Sequence, residues 1–211
     1  ADLLTDEEIE YVKNFRPGLV QFEIGVQTAN SETLKAIHRN PDLTVLKQKV
    51  AKIRKQRNIH QHLDLIVGLP WEDLKRFKQS FNDVYSMEPE QFQLGFLKVL
   101  KGSYMHEKVP DYDLQYRGKA PYEVLSTKWL PYSDVLRLKG VEDMVEVYYN
   151  SLQYRNTIRA AQQLFTRPIE LYEALADYYG QEGLNGKSWS RLQRLEILRR
   201  FLHAVDERTE T

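Results

Sequence analysis

Three short segments constrain what this chain can become: 19–27 (LVQFEIGVQ), 59–68 (IHQHLDLIVG) and 91–100 (QFQLGFLKVL). Each has strand character, and helix-length amphipathic stretches separate them. That order predicts right-handed crossovers and a parallel sheet. Strand side chains alternate between faces. Phe22, Ile24 and Val26 oppose Gln21, Glu23, Gly25 and Gln27; Leu63, Leu65 and Val67 oppose His60, His62, Asp64 and Ile66. In the third segment Phe92, Leu94 and Phe96 oppose Gln91, Gln93, Gly95 and Leu97. Parallel strands sandwiched between helices read apolar on both faces. One polar face per strand instead calls for a barrel or half-barrel, with helices outside and polar groups within. An interior holding Glu23, Gln27, His62 and Asp64 is costly unless those groups are paired or liganded. Between a self-contained hydrogen-bond network and a site for a polar cofactor or substrate, the second reading is preferred. Ligands are expected at the C-terminal strand ends, near Gln27 and the turn after Val67. Gln21 and His60 lie at the far end and read as structural.

The connecting segments carry their own signals. Thr5 and Glu8 spell a capping box for a helix that ends before Pro17-Gly18. A short helix is expected over 31–38. Asp42 caps a longer one with Leu43, Leu46, Val50 and Ile53 on one face. Trp71, Leu74, Phe77, Phe81 and Val84 outline a third, broken at Pro89. Residues 102–131 carry Gly102, Pro110, Gly118, Pro121 and Pro131, and read as an irregular connection with a short strand at 122–127. Beyond them the pattern is helical over 133–149, 155–165, 168–179 and 188–205. In the last, Trp189, Leu192, Leu195, Leu198 or Phe201, and Leu202 form one stripe. The expected domains are thus 1–105, a connection at 106–131, and a helical domain at 132–211.

Composition narrows the chemistry. Thirty basic and thirty acidic residues give no net charge, which argues against a dedicated nucleic-acid binder. The absence of cysteine excludes disulfides, a thiol nucleophile and cysteine-ligated zinc or iron–sulfur centres within this chain. It is compatible with a cytoplasmic setting. No apolar run approaches the roughly 20 residues that span a bilayer. Ala1 in place of an initiator methionine suggests processing, or a cut from something larger.

Two motifs carry a family resemblance. EIGVQTANSETLKAIHR followed by HLDLIVGLPWED resembles the middle of the core domain of radical S-adenosylmethionine enzymes. The fourth strand of that core ends in G-V-Q-S/T with an Arg about a dozen residues on, and its fifth reads D-x-I-x-G-L-P. The counterparts are Gly25-Val26-Gln27-Thr28, Arg39, and Asp64 through Pro70. FQLGFLKVLKGSYM resembles the sixth strand and its exit. The resemblance covers roughly residues 1–105. The remainder resembles the uncharacterised C-terminal domain of cobalamin-binding-type members, often labelled relatives of anaerobic magnesium-protoporphyrin IX monomethyl ester cyclase.

The resemblance implies a fold and a site. The fold is the C-terminal half of a partial (β/α)6 TIM-like barrel, followed by a mainly α-helical accessory domain. Gln27 and Asp64 would hold the ribose and methionyl part of S-adenosylmethionine, Arg39 would pair with its carboxylate, and Glu23 would face the same interior. The family's C-x-x-x-C-x-x-C, whose thiolates hold a [4Fe–4S] cluster, has no counterpart here, nor do its first three strands. The chain then reads as a fragment of a cytoplasmic radical S-adenosylmethionine enzyme, inactive alone. The missing N-terminal half is its first partner, and an unknown small molecule is the substrate. Cobalamin use would belong to the parent. An unpaired edge at 19–27 invites homodimerisation.

Other readings compete. The polar strand faces would also suit a stand-alone small-molecule or protein interaction module. His60, His62 and Asp64 on one face would suit a metal-dependent (β/α) hydrolase, although the His pair sits at the wrong strand end. Lys47, Lys49, Lys52, Arg54, Lys55 and Arg57 read as a solvated helix face before they read as an RNA contact. Tyr148-Tyr149 and Tyr178-Tyr179 read as core or interface aromatics.

Overall fold

The computed structural model describes residues 3–209, with side chains described through residue 206. Ala1, on which the processing expectation rests, lies outside the described residues. The chain divides into two compact units, 1–136 and 137–211.

The first unit opens with α1 (Asp6–Val12), where Thr5 and Glu8 close the capping box. β1 (Gln21–Gln27), β2 (His60–Val67) and β3 (Gln91–Phe96) pair in parallel, in the order β1-β2-β3. Between β1 and β2 run α2 (Ser31–Ala36), capped by Asn30, and α3 (Leu43–Gln56), capped by Asp42. α4 (Leu74–Tyr85) links β2 to β3. An α/β unit with a parallel three-stranded sheet is therefore present.

Face alternation survives on every strand. Ile24, Val26, Leu63, Leu65, Val67, Phe92, Leu94 and Phe96 are all buried. Each such side chain contributes about 1.5–3 kcal/mol when fully removed from water. Phe81 of α4 meets Phe92 with ring centroids 4.9 Å apart. Ile9 of α1, Ile53 of α3 and Ile59 pack with Phe22. Helices thus cover the apolar face and leave the polar one for other contacts. Three basic residues of α3 are engaged within the fold: Lys52 bonds Asp6 at 2.8 Å, Lys47 bonds Ser86 at 3.2 Å, and Arg54 pairs with Glu88.

Two expectations are corrected here. The face expected from Trp71 begins at Leu74, because the Asp73 carboxylate accepts from the Arg76 N–H at 2.8 Å and caps the helix there. Trp71 lies before the cap with a φ of 63° and 46% exposure. Strand β3 stops at Phe96 rather than near residue 100. Leu97 is buried; its N–H donates to Val67 O, and its carbonyl accepts from the Val124 N–H. Beyond it lie α5 (Tyr104–Glu107) and an antiparallel ribbon of β4 (Gln115–Tyr116) and β5 (Val124–Ser126).

α6 (Tyr132–Met144) crosses the division and continues as a π-helical turn, Val145–Asn150. α7 (Arg155–Ala161), α8 (Pro168–Gln181) and α9 (Arg191–Thr209) complete the second unit. Within it, the buried Tyr148 hydroxyl lies 2.7 Å from that of Tyr179 and donates to Arg194 O at 3.2 Å. The expected stripe on the last helix is shifted. Ile197, Leu198 and Phe201 are buried, whereas Leu192 is 77% and Leu195 45% exposed. Trp189 precedes the helix and donates to Leu184 O at 3.0 Å. Among the described residues no helix is long and apolar enough to cross a membrane.

Candidate functional site

The polar sheet face is built row by row. Glu23 pairs with His62 and Gly25 with Asp64 across β1 and β2; Asp64 pairs with Gln93 and Ile66 with Gly95 across β2 and β3. A cleft of about 420 Å³ lies on this face, lined by Glu23, His62, Asp64, Gln93 and Lys98 among others. Gly95 leaves part of that room by lacking a side chain.

A bulge shapes the C-terminal end of β1. The register slips between Gly25 and Gln27, and Gln27 takes a φ of 70°. Bulges re-aim side chains, and here the Gln27 amide donates to Asp64 Oδ2 at 3.0 Å. Arg39 arrives from beyond α2. Its N–H returns to Leu34 O at 2.8 Å, and its Nη1 donates to Gly25 O at 2.7 Å. Gly25 is required by this convergence, since a Cβ there would stand 2.4 Å from Gln27 Nε2 and 3.4 Å from Arg39 Nη1.

Electrostatics follow from that crowding. Burial pushes the Asp64 carboxyl above its ordinary range, and the Gln27 hydrogen bond and the Arg39 charge pull it back. Burial, then the neighbouring His60, push the His62 imidazole down, against the pull of Glu23 and Glu90. His62 Nδ1 lies 3.3 Å from the Gln21 amide, and the His60 and His62 rings are 4.8 Å apart. Among the described residues no group of three or more His, Cys, Asp and Glu could hold a metal ion. Gln27, Arg39 and Asp64 therefore come together. Glu23 shares the cleft with Asp64, one row away.

Sequence reasoning missed Glu72. This residue is 1% exposed, and its Oε1 accepts from Thr28 Oγ1 at 2.5 Å and Ser80 Oγ at 2.9 Å. Burial pushes its carboxyl up to about 7. A faint signal exists in Glu72-Asp73: Asp73 reads as the helix cap, which leaves Glu72 without a local task. Its partners are 44 and 8 residues away, beyond any local pattern. Gly68 sits under the same turn with a φ of 87°, where a Cβ would stand 2.7 Å from Val124 Cγ1.

Comparisons with known proteins bear on both units. Residues 110–211 match a family described as a protein of unknown function, DUF4080. The oxygen-independent coproporphyrinogen-III oxidase-like protein HemZ of Bacillus subtilis (strain 168) is 29% identical over 106 residues, 49% of this chain and 20% of that protein. A tRNA-2-methylthio-N(6)-dimethylallyladenosine synthase of Clostridium botulinum (strain Hall) is 31% identical over 101 residues, 47% of this chain and 22% of that one. The chain thus spans only 20% and 22% of the length of these curated relatives. Among solved structures, coproporphyrinogen III oxidase (HemN) from Escherichia coli, described as a radical SAM enzyme, aligns with a TM-score of 0.43 and 18% identity, over 56% of this chain and 25% of that one.

Proposed function

We propose that this chain is a piece of a radical S-adenosylmethionine enzyme, supplying the ligand-holding strands of a partial (β/α)6 barrel. Gln27 and Asp64 hold the ribose and methionyl part of S-adenosylmethionine, Arg39 pairs with its carboxylate, and Glu23 lines the same cleft. The observation that carries this reading is the convergence of Gln27, Arg39 and Asp64 around the Gly25 backbone. The residue types suit the ligand. A guanidinium offers a fork of donors to a carboxylate. An ionised Asp accepts from ribose hydroxyls, and a Gln donates and accepts at once.

In this reading the thiolates of the [4Fe–4S] cluster belong to another part of the same protein, since this chain holds no cysteine. Alone it is inactive. β1 is an edge of the described sheet, where the remaining barrel strands pair; without them the edge is open to a second copy of the chain. The reading does not call on cobalamin.

The test is a calorimetric titration with S-adenosylmethionine and with 5′-methylthioadenosine, which lacks the carboxylate. Arg39→Ala should weaken S-adenosylmethionine by at least about tenfold, the loss of one charge-assisted pair, and leave methylthioadenosine unchanged. Asp64→Ala should weaken both. An Arg39→Ala effect on both ligands alike, or on neither, would sink the assignment. A stand-alone interaction module would show no such discrimination.

A further inference from the structure

The turn after β2 carries a carboxyl group that the proposed ligand contacts leave unused. Two chains of donors end on Glu72 Oε1. Asn30 N–H donates to Thr28 Oγ1 at 2.9 Å, and Thr28 donates to Glu72. Ala29 N–H donates to Ser80 Oγ at 3.0 Å, and Ser80 donates to Glu72. The second oxygen, Oε2, is buried without a hydrogen-bond partner among the described residues. The same turn is tied down by its backbone. Pro70 O accepts from Thr33 Oγ1 at 2.8 Å and Trp71 O from Asn30 Nδ2 at 2.9 Å.

This clasp holds the right segment. Thr28 directly follows Gln27, and Asn30 caps α2, past whose end Arg39 is anchored. Fixing residues 28–30 therefore fixes both side chains that border Asp64.

We propose that Glu72 is the positioning residue of the candidate site: protonated, it keeps residues 28–30 clasped and so keeps Gln27 and Arg39 in the binding arrangement; ionised, it releases them. A neutral carboxyl accepts both hydroxyls through Oε1 and leaves one buried O–H at Oε2, a smaller cost than a buried charge. An ionised one leaves a charge with a bare oxygen in a dry place, which is expensive. Local opening that admits water to Oε2 relieves it. Burial is the dominant influence on the group, and it places the midpoint at about 7. The hydroxyls of Thr28 and Ser80 pull the other way. The charged groups facing Glu72 are Asp73, which raises it, and Arg76, which lowers it while paired with Glu32 of α2. On the β1 side the facing group is the uncharged Thr28. The ligand part of this inference rests on the S-adenosylmethionine reading; the clasp does not.

The test reads the two parts separately. Amide hydrogen exchange of Ala29 and Asn30 is measured from about pH 4.5 to about pH 8.5, across the window set by the Glu72 shift, and corrected for intrinsic rates. Protection should fall by up to about tenfold per pH unit between the ordinary carboxyl value and about 7 in the unaltered chain, and level off above it. It should stay level in Glu72→Gln, whose carboxamide mimics the neutral acid. Level protection in the unaltered chain, or the same fall in Glu72→Gln, would overturn the clasp. Should Glu72→Gln not fold, the carboxyl carbon of Glu72 is titrated by NMR in the unaltered chain. Its midpoint must coincide with the pH at which the fall in protection levels off, and a mismatch overturns the proposal. S-adenosylmethionine is titrated over the same range, and its affinity should fall with the protection. Exchange that responds while the ligand binds at no pH would retain the clasp and reject the ligand reading.

Discussion

Gln27 donates to Asp64 at 3.0 Å although its backbone stands opposite Leu65, one position out of register. The slip at the end of β1 turns a side chain that would run along the strand back over Gly25. The polar pair at the heart of the candidate site is thus made by a local irregularity between regular strands.

Gly25→Ala should break that pair. The new Cβ would fall 2.4 Å from Gln27 Nε2, and a flexible amide must swing away. The cost to folding should be on the order of 1 kcal/mol, that of one hydrogen bond, read from urea unfolding. Binding of S-adenosylmethionine should suffer more than stability does. Unchanged binding in a folded Gly25→Ala chain would detach the Gln27–Asp64 pair from ligand recognition.

Glu72 should make stability fall with pH. Its ordinary carboxyl titrates near 4.5, and burial brings it to about 7 in the fold. The folded state binds the proton more tightly, so the contribution is complete below the ordinary value and is lost as pH rises through about 7. The span corresponds to an upper figure on the order of 3 kcal/mol. Urea midpoints measured across that window should drop in the unaltered chain. They should drop less in Glu72→Gln, and parallel slopes would count against the assignment.

Gly68→Ala combines two penalties. A φ of 87° disfavours any Cβ, and Val124 Cγ1 would stand 2.7 Å from it. Together they should cost about 2–4 kcal/mol. Adding Val124→Ala should recover the contact part and not the backbone part. Less destabilisation in the double variant than the sum of the singles is the expected signature.

In the helical unit, Tyr148→Phe removes the donor to Arg194 O and leaves the Tyr179 hydroxyl without its partner. A loss of about 1–3 kcal/mol is expected. Tyr148→Phe with Tyr179→Phe should cost less than the two singles summed, because both orphaned groups are then gone. Additivity in thermal or urea unfolding would show that the pair is not coupled.

What is legible in the amino-acid sequence is local. The caps at Thr5 and Asp42, the strand positions and the apolar and polar faces all depend on residues within a few positions of one another. The Gly25-Val26-Gln27-Thr28 and Asp64–Pro70 motifs name two of the residues that meet at Gly25, Gln27 and Asp64. Trp71 and the last helix mark where local patterns mislead. An amphipathic pattern says which residues could face a core, not where a cap starts the helix or which stripe finds a partner. Leu192 and Leu195 fit the period, yet Ile197, Leu198 and Phe201 are the residues buried.

The sequence alone determined the order of strands and helices, because period and capping are set by near neighbours. Only the tertiary structure decided that Gln27 reaches Asp64 and that Glu72 meets Thr28 and Ser80. Those contacts join residues 37, 44 and 8 positions apart. They arise from a bulge and a turn whose packing brings distant polar groups into one dry place, where a carboxyl no longer titrates as it would in water.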